Sequence, residues 1–187
     1  MFYLPADHRN DHWNRFYSRV YCPDMDLEAI ESIKRLKHRY FRTLDLKQWD
    51  EFADCLAEDV RARYGTMAMG EPLHFDSRAG VVDWMREQLS GGTITVHVAQ
   101  HPEVDVDGDR ASASWAFEDT VIVPDFKVVI RGAGYYSDEY RRDADGSWRI
   151  AATKYERIYE AITSLDDTPS FRLLANRWDS SLAHHGG

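Results

Sequence analysis

The stretch ASASWAFEDTVIV, residues 111–123, decides how the rest of the chain is read. From Ala111 every second residue falls in one row: Ala111, Ala113, Trp115, Phe117, Asp119 and Val121. The intervening row is Ser112, Ser114, Ala116, Glu118 and Thr120. A period of two is the period of a strand. The first row is the apolar one, so it faces the core and carries Asp119 inward beside Phe117 and Trp115. A carboxylate taken into apolar surroundings is costly. It is protonated, or paired with a cation, or it lines a wet cavity. The alternative is a strand end whose bend turns Asp119 to water.

The same period extends to both sides. A strand is expected over 93–105, then an Asp-Gly hairpin turn at 107–110 and the strand 110–123. Pro124 and Asp125 break the pattern. A strand over 127–141, a second turn at 143–147 and a strand over 148–159 follow. Upstream the period changes. Behind a cap at Asp26, apolar positions recur every 3.6 residues from Leu27 to Leu44 if the Lys37 stem is counted, which predicts a helix over 27–44. Trp49, Phe52, Cys55 and Leu56 give a short second helix. DVRARYG, 59–65, reads as a strand, and 66–75 as a loop or ragged strand. Ser77 caps a third helix whose inner face is Val81, Val82, Met85 and Leu89. A further short helix is expected around 170–178. Helices followed by long antiparallel strands make the fold class α+β. A strongly bent sheet wrapped around helices is a cone with one open end, and a pocket belongs inside it.

The 187 residues suit one domain with a real core. Residues 26–162 form it, 1–25 read as an arm packing on the domain or a neighbouring subunit, and 163–187 as an extension. The formal charge of −9 disfavours nucleic acid and anionic membranes and agrees with a cytoplasmic protein. No apolar run reaches the length of a signal peptide or membrane span. Cys22 and Cys55 stand in no zinc or thioredoxin pattern and read as reduced thiols. There is no glycine-rich phosphate loop, no GxSxG and no HExxH. No cofactor and no metal site are expected.

Candidate site residues come from the faces. Thr93, Thr95, His97, Ala99 and His101 share one face of their strand and suit a cavity wall. Ile94, Val96 and Val98 share the other and suit packing against helices. A lone inward His is more often a hydrogen-bonded core residue than a catalyst. Tyr40 lies in the apolar helix stripe, where a Tyr is usually a core ring. Tyr64 ends its strand before Gly65. Arg157 sits between Tyr155 and Tyr159, a partner for Asp119 or an anchor for an anionic substrate group. In RYFRTLDLKQWD, 39–50, Asp45 follows the last apolar position of the helix. It either faces water or turns in with Tyr40.

IKRLKHRYFRTLDLKQWDEF, VRARY, VHVAQHPEVDV, WAFEDTVI, YYSDEYRR and KYERIYE together resemble the SnoaL-like superfamily, related to ketosteroid isomerase and nuclear transport factor. Within it they are most similar to the scytalone dehydratase branch and its bile-acid 7α-dehydratases, over roughly residues 26–162. The resemblance implies a cystatin-like cone and a cofactor-independent dehydratase acting on a hydrophobic cyclic hydroxy-carbonyl compound, steroid-like or polyketide-like. It implies His97, Asp45, Tyr40 and Asp119 as catalytic residues, with Tyr64 and Arg157 around the substrate; Trp115 and Phe117, beside Asp119 on the inward row, are expected to line the substrate as well. Asp45 would fix the His97 tautomer. Asp119 would be an acid or the partner of Arg157, roles that exclude one another. The scytalone branch carries a second histidine where this chain has Trp115 to Phe117, which argues against scytalone itself. An isomerase or dehydrochlorinase using the same dyad, or a non-catalytic binding or assembly module, remain the other readings. Relatives close the open sheet by association, so a homo-oligomer is expected, a trimer before a dimer.

Overall fold

A computed structural model describes residues 25–65 and 70–179; the expected N-terminal arm, apart from Met25, lies outside them. Helix α1 (Leu27–Asp45) is capped by Asp26, whose carboxylate accepts the Ala29 N–H at 2.9 Å. Its buried stripe is Ala29, Ile33, Leu36, Lys37, Tyr40, Phe41 and Leu44. A short α2 (Trp49–Asp54) leads into β1 (Leu56–Tyr64), which begins earlier than its charge pattern suggests because Leu56 and Ala57 are fully buried. Then come β2 (Leu73–Phe75), α3 (Arg78–Gln88, capped by Ser77), β3 (Ile94–Asp107), β4 (Arg110–Val123), a 3₁₀ turn at Pro124–Phe126, β5 (Val128–Arg142) and β6 (Trp148–Ser164).

The strands form one sheet in the order β2-β1-β6-β5-β4-β3. Only β1 and β6 run parallel; the other pairs are antiparallel. This is the expected α+β cone: α1 lies along the concave face, and the core forms between them. The Asp-Gly turn closes β3 to β4, with Gly108 at φ 57°, a conformation that a Cβ would oppose.

Three expectations need correction. The apolar row Ile94, Val96 and Val98 does not pack on helices. It points to the convex side, where Val96 and Val98 are exposed, and the polar row of Thr95 and His97 faces α1. His101 does not continue that row: a bulge between Gln100 and Glu103 interrupts the register, and His101 sits exposed at φ 49°. Residues 165–179 contain turns but no helix. Their ties run to other segments instead: Leu165 N–H to Lys127 O, Asn176 Nδ2 to Gly92 O, and the Lys47 ammonium over the Trp178 ring.

Candidate active site

The sheet register arranges the inner face in rows. His97 on β3 stands opposite Asp119 on β4, Asp119 opposite Gly132 on β5, and Gly132 opposite Glu160 on β6. The next row runs Ala99, Phe117, Gly134, Arg157, and the one after it Trp115, Tyr136, Tyr155. Deeper still, Ala113, Asp138 and Thr153 line up. Helix α1 crosses these rows. Lys37, Phe41 and Asp45 are four residues apart, so they share one stripe of the helix.

That spacing turns Asp45 inward. Its Oδ1 accepts from Thr95 Oγ1 at 2.8 Å and pairs with His97 Nδ1 at 2.6 Å; its Oδ2 accepts the backbone N–H of His97 at 2.9 Å. A carboxylate accepting at Nδ1 places the proton there and leaves Nε2 with a bare lone pair. Nε2 has no hydrogen-bond partner among the described residues, and the side chain is 12% exposed. Phe41 stacks on the imidazole at 5.1 Å and 5° and fixes its plane. The ring is therefore held at Nδ1 and across one face, with Nε2 left for chemistry.

Beside it, Arg157 grips Asp119 with two parallel bonds, Nη1 to Oδ1 at 2.9 Å and Nη2 to Oδ2 at 2.5 Å, while its Nε lies 3.0 Å from Glu160. Burial opposes the guanidinium charge, but the Asp119 bonds outweigh it and Arg157's pKa is raised. The inner row leaves room for this clamp only because residue 132 is glycine. A Cβ there would stand 1.8 Å from Arg157 Nη1.

The phenols lie beside this row, with Tyr40 and Tyr136 packed against Phe41. Tyr40 and Tyr64 join their hydroxyls at 2.8 Å, both fully enclosed. Burial first, then the neighbouring phenols and Asp138, hold Tyr40 well above the usual phenol range; Tyr64 is also raised, chiefly by burial. Tyr136 packs edge-on to Phe41 and Phe117, and Tyr155 packs against Tyr64, Phe117 and Tyr136. Beyond Tyr155 a cavity of about 740 Å³ opens where β1 stops at Tyr64 and β6 runs on; Gly65, Pro72 and β6 residues from Lys154 to Ile162 line it, and it shares Arg157 with the clamp but not His97. This volume suits a drug-sized or larger organic ligand.

So His97, Asp45, Asp119, Arg157 and Phe117 come together on adjacent rows, with Tyr40 and Tyr64 one layer over. Trp115 does not join them: it lies four residues from Asp119 toward the hairpin, fully buried, donating to Tyr140 at 3.0 Å. Sequence reading missed Thr95 as the second clamp on Asp45, Gly132, Tyr136, Tyr155, and the pair Lys37–Asp138. For that pair the signals were present: a lysine inside an apolar helix stripe and an aspartate between Tyr136 and Tyr140 on an inward row. No group of three or more His, Cys, Asp or Glu among the described residues is placed to hold a metal, and no described helix is long and apolar enough to cross a membrane.

Fold and site together define an α+β cone protein with a clamped His–Asp pair, a guanidinium–carboxylate clamp and a phenol cluster on its concave face. The chain belongs to the SnoaL-like family, whose domain model it matches over residues 25–154. Its backbone is similar to that of a Kribbella flavida protein of known structure (22% identity, 73% of this chain and 95% of that one, TM-score 0.65). It is similar also to a type 2 hexachlorocyclohexane dehydrochlorinase (18% identity, 74% and 90%, TM-score 0.63). A third similar structure is a Novosphingobium aromaticivorans protein provisionally assigned as a scytalone dehydratase (17% identity, 74% and 90%, TM-score 0.65). At these identities the likeness concerns the fold.

Proposed function

We propose that the protein is a cofactor-independent hydro-lyase that removes water from a hydrophobic cyclic β-hydroxy carbonyl compound, steroid-like or polyketide-like. The observation that carries this reading is the His97–Asp45 pair: Nδ1 clamped at 2.6 Å, Nε2 unpartnered among the described residues. Nε2 takes the proton from the carbon next to the carbonyl, and Asp45 stabilises the imidazolium that forms. The electron pair moves onto the carbonyl oxygen, where a phenol of the Tyr40–Tyr64 pair donates a hydrogen bond. Collapse of the enolate expels the β-hydroxyl, which leaves as water with the proton that His97 took. Asp119 accepts two N–H bonds from Arg157, so it is not the acid of this scheme. The two hold the substrate, together with Phe117.

The test is proton exchange. In heavy water, a panel of cyclic ketones is followed by NMR for loss of the α-proton, and β-hydroxy ketones for enone formation. Exchange by the native protein that is absent in His97→Ala supports the reading; equal rates in both remove His97 from the mechanism. The fold shared with a dehydrochlorinase gives a second reading. There the same base acts, but chloride leaves unprotonated. Enone against chloride release separates them.

We further propose a homo-oligomer, a trimer before a dimer, joined over the convex face where Val96, Val98, Tyr135 and Tyr159 are exposed. A cytoplasmic location accords with the free, buried Cys55 thiol.

A further inference from the structure

Lys37 is the residue that the elimination scheme leaves without a task. Its side chain is fully enclosed, with Nζ 2.7 Å from Asp138 Oδ2. Asp138 is already served: Thr153 donates to Oδ1 at 2.7 Å and Tyr140 to Oδ2 at 2.8 Å. Replacing a buried ion pair by apolar residues of similar volume is commonly neutral or stabilising. Stability alone is therefore a weak reason for a lysine here. Burial lowers Lys37's pKa, and Asp138 opposes that shift.

The surroundings of the ammonium point to another use. Nζ lies 3.7 Å from the centre of the Tyr136 ring, 4.9 Å from that of Phe41 and 5.0 Å from that of Tyr40. Phe41 is the ring that stacks on His97, and Tyr40 is bonded to Tyr64. Asp138 by itself disfavours negative charge on these phenols; its charge is among the causes that raise Tyr40, Tyr64 and Tyr136. The ammonium stands between that carboxylate and the Tyr136 and Tyr40 rings. A cation on the face of a phenol draws density from the ring and makes its O–H a stronger donor.

We propose that Lys37 is a positioning residue for an anionic intermediate: held by Asp138 and laid against Tyr136, its ammonium keeps the Tyr40–Tyr64–Tyr136 cluster competent to hydrogen-bond an enolate. The inference rests on the lyase reading, which puts an enolate beside the phenols.

The probe is para-nitrophenol, whose phenolate is coloured and resembles an enolate oxygen on a ring. The comparison is between the native protein and Lys37→Met/Asp138→Asn, which removes both charges and keeps the volumes close. The expected result is that the double variant binds the phenolate about tenfold or more weakly and ionises less of the bound phenol, with para-nitroanisole binding unchanged. A folded double variant that binds and ionises nitrophenol like the native protein overturns this inference alone. A native protein that binds no nitrophenolate overturns the lyase reading and this inference with it. Nitrogen NMR of the Lys37 side chain in the native protein needs no variant. An ammonium at neutral pH that shifts on phenolate binding is expected, and a neutral amine overturns the inference.

Discussion

Gly132→Ala is a one-methyl change with a large expected consequence. Gly132 has no left-handed backbone strain to relieve, so the substitution by itself would stabilise the fold by about 0.5 kcal/mol through the unfolded chain. The new Cβ, however, lands 1.8 Å from Arg157 Nη1, 2.9 Å from its Cζ and 3.0 Å from the Tyr159 carbonyl oxygen. The guanidinium must leave its slot. Asp119, with 4% of its side chain exposed, loses both bonds from Arg157, while Arg157 at 13% can reach water more readily. Breaking a largely buried pair from one side costs about 3–5 kcal/mol, and partial rehydration of the arginine puts this case near the lower end, about 3 kcal/mol. For a chain of this size that is a fall in Tm of roughly 6–12 °C. Denaturant unfolding and calorimetry read it directly. The same substitution made in an Arg157→Met/Asp119→Asn background should cost far less, because the obstructing group is gone. A Gly132→Ala protein as stable as the native one would refute the reasoning, since the strand would then absorb the methyl without disturbing the clamp.

Other expectations follow from the same contacts. Asp45→Asn keeps the shape but cannot accept all three donors, Thr95 Oγ1, His97 N and His97 Nδ1; stability should fall by about 1–3 kcal/mol, and exchange activity by about 10²–10⁴-fold through loss of the fixed tautomer. Tyr40, Tyr64, Tyr136 and Tyr140 are all raised by burial. Their contribution to stability is present below the unfolded phenol pKa and lost as pH rises through the folded values. Cys55, pushed up from 9.0 to about 11, adds a loss over that interval. Lys37, lowered, acts with the opposite sign, its burial penalty easing as pH climbs toward 10.5. Phenolate absorbance and circular dichroism recorded together should show these four tyrosines ionising only as the fold opens; ionisation of all tyrosines before unfolding would contradict their burial. The Cys55 thiol, enclosed and protonated, should react with a disulfide reagent only at the rate of unfolding, and fast labelling of Cys55 would place it elsewhere. Val96→Lys with Val98→Lys should reduce the mass seen by light scattering to that of one chain without loss of helix or sheet signal; an unchanged oligomer would move the interface off the convex face.

The parts of this protein that were legible in the sequence are those governed by short-range periodicity. The row Ala111 to Asp119 declared its inward face, Asp26 and Ser77 their caps, and Asp107-Gly108 its hairpin, because each depends on neighbours a few residues away. Strand β3 failed that test for a physical reason. Its two faces are one apolar and one polar, and the rule that apolar residues pack inward assigns them backwards when the concave side holds a polar site and the convex side is bare in a single chain. The bulge at Gln100–Glu103 then removed His101 from the row of His97, and nothing in the local composition announced it.

Lys37 and Gly132 show the other limit. Each was visible, one as a polar residue within an apolar stripe, the other as one of two glycines two residues apart in a strand. Their meaning lies in partners 101 and 25 residues away in the chain, Asp138 and Arg157. A stripe tolerates a lysine stem, and a strand tolerates a glycine, so neither position contradicts its own element. Both become informative only when the register sets Asp138 under α1 and Gly132 beside Arg157. The positions that conform least to their element's pattern are therefore the ones to examine for chemistry; here Lys37 packs on the Phe41 ring that stacks on His97, and Gly132 pairs with Asp119 in the row of His97.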